Sequence, residues 1–220
     1  MKSSPLKTTF SQAETLSGMP AKIVMASGNA GKLQEMARIL ADLDVTVIPQ
    51  SEFGVSDADE TGATFVENAL LKARHAARAT GLPAISDDSG LAVDALDGRP
   101  GVHSARYSGP EADPEKNIDR LLAELDGVPA KRRGAAFHCV ACFVMDDNAK
   151  PLIAQGEWRG EILHARQGDG GFGYDPVFFI PELACSSAQL SADEKDARSH
   201  RGQALRSLAR QLSDYAWPQS

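Results

Sequence analysis

Two adjacent carboxylates, Asp87 and Asp88, follow an apolar run and precede a Ser-Gly pair, and this segment constrains the fold more than any other. Residues 83–86 predict a short buried strand, which would place both acids at its carboxyl end, where open α/β sheets bind ligands. Neighbouring side chains of an extended segment point to opposite faces, so we expect different roles for the two acids. One would bind a metal or activate a water, and the other would brace the loop. An Asp-Asp-Ser-Gly turn is the alternative.

A glycine-rich turn nearer the N-terminus predicts a phosphate site. Residues 22–26 are typical of a strand, residues 27–32 (SGNAGK) form a glycine-rich turn, and a helix follows. Exposed amides and the helix dipole attract an anion there, and Lys32 adds a positive charge in the first helical turn, which the dipole alone does not favour. Only two residues separate Gly28 from Gly31, so this is not a P-loop, and an ordinary turn remains the alternative. The helix is expected to bury one apolar stripe, which consists of Leu33, Met36, Ala37 and Leu40.

A second glycine-dense segment, residues 168–179 (GDGGFGYDPVFF), holds Phe172 and Tyr174 beside Asp175. Aromatic rings on a glycine-rich loop suit stacking on a flat base, and the adjacent carboxylate can accept hydrogen bonds from it. A tight turn whose rings fill the core is the alternative. At or near the start of the last helix stands a basic group that could contact phosphate or the carbonyls of a base: Lys195, His200 and Arg201.

The middle of the chain supplies a helix that could carry a further cation. Thr64 and Glu67 form a capping box, which predicts a helix to about residue 80. Asn68 and Lys72 lie one helical turn apart and could face the same cleft. The acidic loop that precedes this helix, residues 56–61, is most often solvated surface.

Two other segments have simpler interpretations. Residues 91–109 are long and broken by glycine and proline, which is typical of a binding loop without structure of its own. Residues 135–145 are a continuous apolar run and predict a central strand. Cys139 and Cys142 would face opposite sides of that strand, so they cannot chelate one metal and are expected to be core residues.

Composition limits the classes of function. A chain of 220 residues fits one large domain or two small lobes, and a net charge of −7 argues against broad, nonspecific nucleic-acid binding. An acidic protein that binds a polyphosphate needs a local basic pocket, a divalent cation, or both. Three cysteines make no disulfide framework, which suggests a reduced, cytoplasmic setting. No apolar run approaches the length of a membrane span, and residues 1–20 are expected to be a disordered extension without the pattern of a signal peptide.

Four motifs in this order resemble those of the inosine/xanthosine triphosphate pyrophosphatase family: residues 27–32, 86–91, 171–176 and 199–205 (SHRGQAL). The resemblance extends from about residue 22 to about residue 212. It implies an elongated, two-lobed α/β fold with a mixed central sheet flanked by helices and a cleft between the lobes, formed by residues 21–216 as one catalytic domain. It also implies a homodimer and Mg²⁺-dependent hydrolysis of ITP, dITP and XTP to the nucleoside monophosphate and pyrophosphate. From the net charge and the lack of a long apolar run we expect no nucleic-acid and no membrane partner.

The resemblance assigns roles residue by residue. Asp88 would be the catalytic carboxylate and a Mg²⁺ ligand, with Asp59, Glu60 and Asp87 as further candidate metal ligands and Lys72 as a phosphate contact. The residues implied in binding the triphosphate are Ser27, Gly28, Asn29, Ala30, Gly31 and Lys32. Those implied in binding the rest of the nucleotide are Ser89, Phe172, Gly173, Tyr174, Asp175, Lys195, His200 and Arg201.

Two other functions are compatible with parts of this pattern. A Maf-like pyrophosphatase would act on modified pyrimidine nucleotides, although the SHRGQAL and GGFGYDP segments argue against it. A non-catalytic nucleotide sensor could use the same cleft, but it would not need the retained Lys32, Asp87 and Asp88.

Overall fold

A computed structural model of the protein describes residues 21–41 and 45–215, so the extension expected over residues 1–20 lies outside the described residues. The strands are β1 (Lys22–Met25), β2 (Thr46–Pro49), β3 (Ala84–Val93), β4 (Gly134–Val144), β5 (Leu152–Ile162), β6 (Phe178–Ile180) and β7 (Cys185–Ser186). The α-helices are α1 (Ala30–Ile39), α2 (Phe65–Thr80), α3 (Pro114–Glu124), α4 (Ala192–Arg198) and α5 (His200–Ser213).

The strands form one open, mixed sheet in the order β2-β1-β3-β4-β5-β6-β7. β1 runs parallel to β2 and β3, and every later pair is antiparallel. Helices α1 and α5 pack their apolar residues on one face of the sheet, and α2 packs on the opposite face. A third apolar cluster joins α3 to the far ends of β3, β4 and β5 and to β6. The expected α/β class with a mixed sheet flanked by helices is confirmed.

Helix α2 begins and ends where the sequence predicts. The Thr64 hydroxyl accepts a hydrogen bond from the Glu67 N–H at 3.2 Å, and the Glu67 carboxylate accepts one from the Thr64 N–H at 3.1 Å, which completes the capping box. Gly81 ends the helix in a left-handed conformation with a φ of 69°. The buried face of α2 consists largely of alanine, which lets the helix lie close to the sheet. At this short distance the Lys72 ammonium reaches Asp88 of β3.

The strand predicted over residues 83–86 is wrong in extent, because β3 runs on to Val93. Asp87 and Asp88 therefore lie inside a strand rather than after it, and their backbones pair with Ala141 and Val140 of β4. Aspartate is depleted in strands in general, but pairing with an apolar central strand and nearby cations override that preference here. The parallel neighbour β1 pairs with β3 only as far as residue 85. Both acids therefore lie just beyond the end of the parallel part of the sheet.

The segment over residues 91–109 has more structure than expected. Its first residues belong to β3, and 3₁₀ turns follow at Asp94–Leu96 and Gly101–Arg106. The prediction of a central strand over residues 135–145 is confirmed by β4. Cys139 packs in the cluster beneath α1 and α5, whereas Cys142 packs beneath α2, so the two thiols lie on opposite faces as predicted.

Candidate active site

A cavity of about 260 Å³ opens beside the strand that carries the two acids. It brings together segments that are far apart in the sequence: the start of α1, the middle of β3, the glycine-dense loop before β6, and the residues around the start of α5. The residues that line it are Asn29, Lys32, Ser89, Gly90, Ser104, Ala105, Ala112, Pro114, Asn117, Phe137, Phe172, Gly173, Tyr174, Asp175, Lys195, His200 and Arg201.

Asp87 lies on the α1/α5 side of β3 with its side chain fully buried. Its Oδ2 is 3.2 Å from the Lys32 ammonium, 3.1 Å from Nε of Arg201, and accepts a hydrogen bond from the Ser89 hydroxyl at 3.1 Å. Burial alone would raise the pKa of this carboxyl. The positive charges of Lys32, Arg201 and Lys72 overcome that effect and hold the pKa of Asp87 well below its usual range. Asp87 is therefore a permanently ionised, fixed anchor.

Asp88 lies on the opposite face of the same strand and has a different environment. Its Oδ1 accepts a hydrogen bond from the Lys72 ammonium at 2.8 Å, and the same ammonium donates to Glu60 at 2.7 Å. Burial raises the pKa of Asp88, and although Lys72 and Lys32 oppose this effect, the pKa stays above its ordinary value. Asp88 is therefore the more basic of the two carboxylates.

The acidic loop over residues 56–61 contributes one carboxylate to this face. Glu60 is half-buried, and besides Lys72 it accepts a hydrogen bond from Arg106 at 3.2 Å. Burial raises the pKa of Glu60, but Lys72 and the other cations leave it lowered overall. The neighbouring Asp59 is exposed, and its backbone carbonyl accepts a hydrogen bond from Thr61. Of the two candidate ligands in this loop, Glu60 reaches the cluster.

The turn at residues 27–32 forms a compact cap on α1. Asn29 is the N-cap, with its side-chain oxygen accepting a hydrogen bond from the Lys32 N–H at 3.0 Å. Ser27 is buried, and its hydroxyl accepts from the Asn29 N–H at 3.2 Å. Gly28 lies against the carboxylate of Asp57, while Ala30 is exposed. Asn29 and Ala30 are exposed, so the start of α1 is accessible and is a favourable position for an anion.

The glycine-dense loop is held by Asp175, whose side chain is buried. One carboxylate oxygen accepts a hydrogen bond from the Ser187 hydroxyl at 2.9 Å. The other accepts from the Phe172 N–H at 2.8 Å and from the Lys195 ammonium at 2.6 Å. Gly173 has a φ of 61°, a backbone conformation that favours glycine, and lies between the two aromatic residues. Asp175 therefore positions both the loop and the first residue of the basic group.

The two aromatic residues of this loop have separate positions. Tyr174 is buried in the apolar cluster beneath α3, and its hydroxyl donates a hydrogen bond to the Ser104 carbonyl at 2.9 Å. Phe172 is half-buried, with the Lys195 ammonium 4.6 Å from its ring centroid and the Arg201 guanidinium carbon 5.6 Å from it. Both line the cavity, but Phe172 has the position that suits an aromatic platform, whereas Tyr174 also fills the core.

His200 is buried and uncharged. Its ring stacks on that of Phe137 with centroids 4.7 Å apart and planes 9° apart. Burial, reinforced by the charges of Arg201 and Lys195, lowers the pKa of His200 well below its ordinary value of 6.5. Its Nδ1 is buried and has no hydrogen-bond partner within the described part of the chain. A neutral ring with an unpaired nitrogen beside the cavity can accept or donate one hydrogen bond, depending on its tautomer.

Glu35 is a site residue that sequence reasoning missed. It is buried, bonds to the guanidinium of Arg201, and lies 2.9 Å from the Lys195 ammonium. The predicted apolar stripe of α1 is wrong at Ala37, which is exposed, because the helix is turned so that Glu35 faces inwards. The available signal was its spacing: Glu35 lies three residues after Lys32, hence one helical turn further along the same face.

The donor atoms fit a Mg²⁺ ion that also binds substrate. Across residues 21–41 and 45–215, no three His, Cys, Asp or Glu side chains come together to hold a metal on their own. Mg²⁺ in phosphate-binding enzymes typically uses only one or two carboxylates plus substrate phosphates and waters. Asp87 Oδ1 and Asp88 Oδ2 are both buried, and neither has a hydrogen-bond partner among the described residues. Because the two side chains lie on opposite faces of β3, the Asp88 oxygen, on the side of Lys72 and Glu60, is the one that suits such an ion.

Comparison with known proteins gives consistent results. The Ham1 family model matches residues 23–211. A protein named dITP/XTP pyrophosphatase from Methylococcus capsulatus is 57% identical over 195 residues, which are 88% of this chain and 97% of that protein. Its counterpart of the same name from Pectobacterium atrosepticum is 54% identical over 188 residues, which cover 85% of this chain and 95% of the relative.

Solved structures agree with the sequence relatives. The structure of a HAM1 protein from Coxiella burnetii is 48% identical, superimposes with a TM-score of 0.82, and covers 89% of this chain and all of that one. The Staphylococcus aureus Ham1 protein is 41% identical with a TM-score of 0.78, and the match covers 88% of this chain and 98% of that one. None of the helices in the described residues is both long and apolar enough to cross a membrane. The match of the family model to most of the chain, together with these relatives, establishes that the protein belongs to the Ham1 family.

Proposed function

We propose that the protein hydrolyses ITP, dITP and XTP between the α- and β-phosphates, with Mg²⁺, to the nucleoside monophosphate and pyrophosphate. The observation that carries the proposal is the position of Asp87 and Asp88 on opposite faces of one strand. Each carboxylate joins a different set of cations, and one cavity reaches both the phosphate turn and the aromatic platform. The relatives named dITP/XTP pyrophosphatase support the choice of substrate.

The proposed metal ligands are Asp88, whose Oδ2 has no hydrogen-bond partner among the described residues, and Glu60, which shares Lys72 with it. Asp87 lies on the opposite face of β3, so we do not propose it as a ligand of the same ion. A bound Mg²⁺ would neutralise the charge that develops on the phosphate oxygens. Lys32 and Lys72 would add two fixed positive charges on the phosphates. Lys32 is anchored by Asp87, and Lys72 by Asp88 and Glu60. The chain thus supplies paired cations that need little rearrangement when a polyanion binds.

Asp88 is the proposed general base. Its raised pKa makes it a better proton acceptor than an ordinary aspartate, and its Oδ2 is free of hydrogen bonds within the described residues. A water hydrogen-bonded to that oxygen would be deprotonated as it attacks the α-phosphorus, in line with the leaving pyrophosphate. Asp87 is unsuited to this task because its pKa is lowered and its Oδ2 is fully engaged. Environment therefore separates two chemically identical neighbours.

The base would bind at the other end of the cavity. Phe172 is the proposed stacking platform, while Lys195, Arg201 and the neutral ring of His200 are the candidate contacts for the edge of the base. The 6-keto group of inosine and xanthosine accepts hydrogen bonds from such donors. Adenine presents an amino group at that position, which would leave the donors unpaired and is strongly penalised. Guanine shares the 6-keto group, so its exclusion has to depend on its 2-amino group.

The same proposal includes a homodimer and one catalytic unit over residues 21–216, which follow from the family resemblance. It also includes a cytoplasmic location, which follows from three cysteines that make no disulfide framework. Sedimentation of the purified protein tests the dimer directly. A mass equal to one chain, which is 23.4 kDa, would contradict it.

One assay tests the activity. Purified protein is incubated with Mg²⁺ and, separately, with ITP, XTP, dUTP, ATP or GTP, and the released ion is identified. Pyrophosphate from ITP and XTP, with little from the other three, supports the proposal. Turnover confined to a pyrimidine nucleotide would indicate a Maf-like activity instead. Tight binding of ITP without any product would indicate a nucleotide sensor.

A further inference from the structure

The phosphate turn and the aromatic platform meet at one close contact. A Cβ atom on Gly31 would lie 2.8 Å from Cδ1, 3.0 Å from Cε1 and 3.2 Å from Cγ of Phe172, so the ring occupies the space that any larger residue needs. Gly31 is the second residue of α1 and does not have a positive φ. Its backbone therefore does not require glycine, and the position of the Phe172 ring accounts for the missing side chain.

The ring is also restrained from the side of the basic group. The Lys195 ammonium lies 4.6 Å from the ring centroid, and the Phe172 N–H donates a hydrogen bond to Asp175, which binds the same ammonium. Lys195 in turn pairs with Glu35 on α1 at 2.9 Å. The ring is thus contacted by α1 and by a cation that α1 also binds, while it still lines the cavity. A displacement of the ring would disturb both contacts.

We propose that Gly31 is a positioning residue that fixes the Phe172 ring relative to the phosphate turn, and thereby sets the spacing between the base platform and the triphosphate site. The inference rests on the proposed function, because only a whole nucleotide occupies both positions at once. A rigid spacing favours a ligand in which a ribose joins base and triphosphate at a fixed length. A methyl group at residue 31 pushes the ring away without removing the backbone amide that would face phosphate.

The variant Gly31→Ala tests this role. We expect the KM for ITP to rise about tenfold, with a smaller change in kcat, because the displaced ring stacks less well on the base. Tenfold corresponds to about 1.4 kcal/mol of binding free energy. The inhibition constant of inorganic tripolyphosphate, which has no base, is expected to stay at the wild-type value. An equal rise in both constants would overturn the proposal, because it would assign the effect to the phosphate turn itself.

A double-mutant cycle identifies the partner. Phe172→Ala removes all three ring atoms that approach residue 31. If Gly31 acts through the ring, Gly31→Ala has no further effect on the KM for ITP in the Phe172→Ala background. A further rise of the same size in that background would contradict the proposal.

Urea unfolding of the same four proteins without nucleotide separates this inference from the proposed function. Alanine is favoured over glycine inside a helix, so Gly31→Ala should raise the unfolding midpoint in the Phe172→Ala background. In the wild-type background the displaced ring should cancel or reverse that gain. The same rise in both backgrounds would contradict the proposal, because it would show that a methyl group at residue 31 does not displace the ring. Gln34→Ala, at an exposed position of α1, is the control. It should shift the unfolding midpoint by the same amount in the wild-type and Phe172→Ala backgrounds. Absence of ITP turnover in the wild type would refute the proposed function. The unfolding cycle would still test the contact between residue 31 and the ring, because it is measured without nucleotide.

Discussion

The two faces of β3 differ more than their adjacent residues suggest. On the α1/α5 face, Asp87 belongs to a buried network in which each charge has a partner in a fixed position. On the α2 face, Asp88 shares Lys72 with Glu60, and the loop that carries Glu60 is partly open to solvent. The first face is a buried cluster of ion pairs that stabilises the fold. The second is the proposed reactive centre.

One strand thereby combines a stabilising carboxylate with a proposed reactive one. Alternation along β3 sends consecutive side chains into separate environments, and the pKa values of the two aspartates are displaced in opposite directions. Ionised Asp87 is stabilised by its cations, whereas the ionised form of Asp88 is disfavoured by burial, which suits its proposed role as a general base. Variants on the two faces should therefore fail in different ways.

The largest expected effect is on the reactive face. Asp88→Asn removes the proposed base while keeping the size of the side chain, and we expect kcat for ITP to fall by about 10³-fold. The measurement is steady-state release of pyrophosphate at saturating Mg²⁺. Turnover within a fewfold of wild type would show that another group accepts the proton.

On the structural face, Arg201→Met should destabilise the fold. It leaves the buried carboxylates of Asp87 and Glu35 without their shared guanidinium, and breaking such a pair typically costs about 3–5 kcal/mol. Arg106→Met, on the Asp88 face, is the matched control. That arginine is partly exposed in its pair with Glu60, so its loss should cost about 1 kcal/mol or less. Equal losses in urea unfolding would remove the distinction between the two faces.

A third variant sharpens the assignment of the metal ligands. Glu60→Gln should raise the Mg²⁺ concentration for half-maximal activity about tenfold. Calorimetry of Mg²⁺ binding with a non-hydrolysable ITP analogue provides a second readout. Asp59→Asn, at the exposed neighbouring position, should leave both values unchanged. An effect of Asp59→Asn as large as that of Glu60→Gln would contradict the choice between these two carboxylates.

The smallest expected effect is a pH dependence of stability on the Asp87 face. His200 stays neutral in the folded protein because burial lowers its pKa below 6.5, whereas in the unfolded chain it binds a proton as the pH falls through that value. Acidification below about pH 6.5 therefore destabilises the wild type through this residue. Between about pH 7 and about pH 5, the free energy of unfolding of His200→Gln should fall by about 1–2 kcal/mol less than that of the wild type. Parallel pH profiles would indicate that the pKa of His200 is not displaced.

The local elements around the site were predictable from the sequence. The capping box at Thr64 and Glu67, the turn before α1 and the apolar run of β4 each depend on neighbouring residues, and the structure has all three. The prediction that Asp87 and Asp88 face opposite sides also depends only on strand geometry, and their ion pairs with residues on opposite faces confirm it.

The parts that sequence reasoning missed depend on distant partners. β3 extends through both acids because β4 pairs with it along its whole length, which no local preference of aspartate indicates. Glu35 is buried because Arg201 and Lys195, more than 150 residues later, compensate its charge. By its polarity alone it belongs on the solvent face of α1. Burial of a charge can be inferred only when its partner is known.

The most direct test compares Asp87→Asn with Asp88→Asn in one urea unfolding experiment near neutral pH. Asp88 has a raised pKa, so its ionised form destabilises the fold there, and Asp88→Asn should unfold at the wild-type midpoint or higher. Asp87 has a lowered pKa and pairs with buried cations, so Asp87→Asn should lose several kcal/mol. Equal destabilisation of the two variants, or a greater loss for Asp88→Asn, would contradict the division of roles between these neighbouring carboxylates.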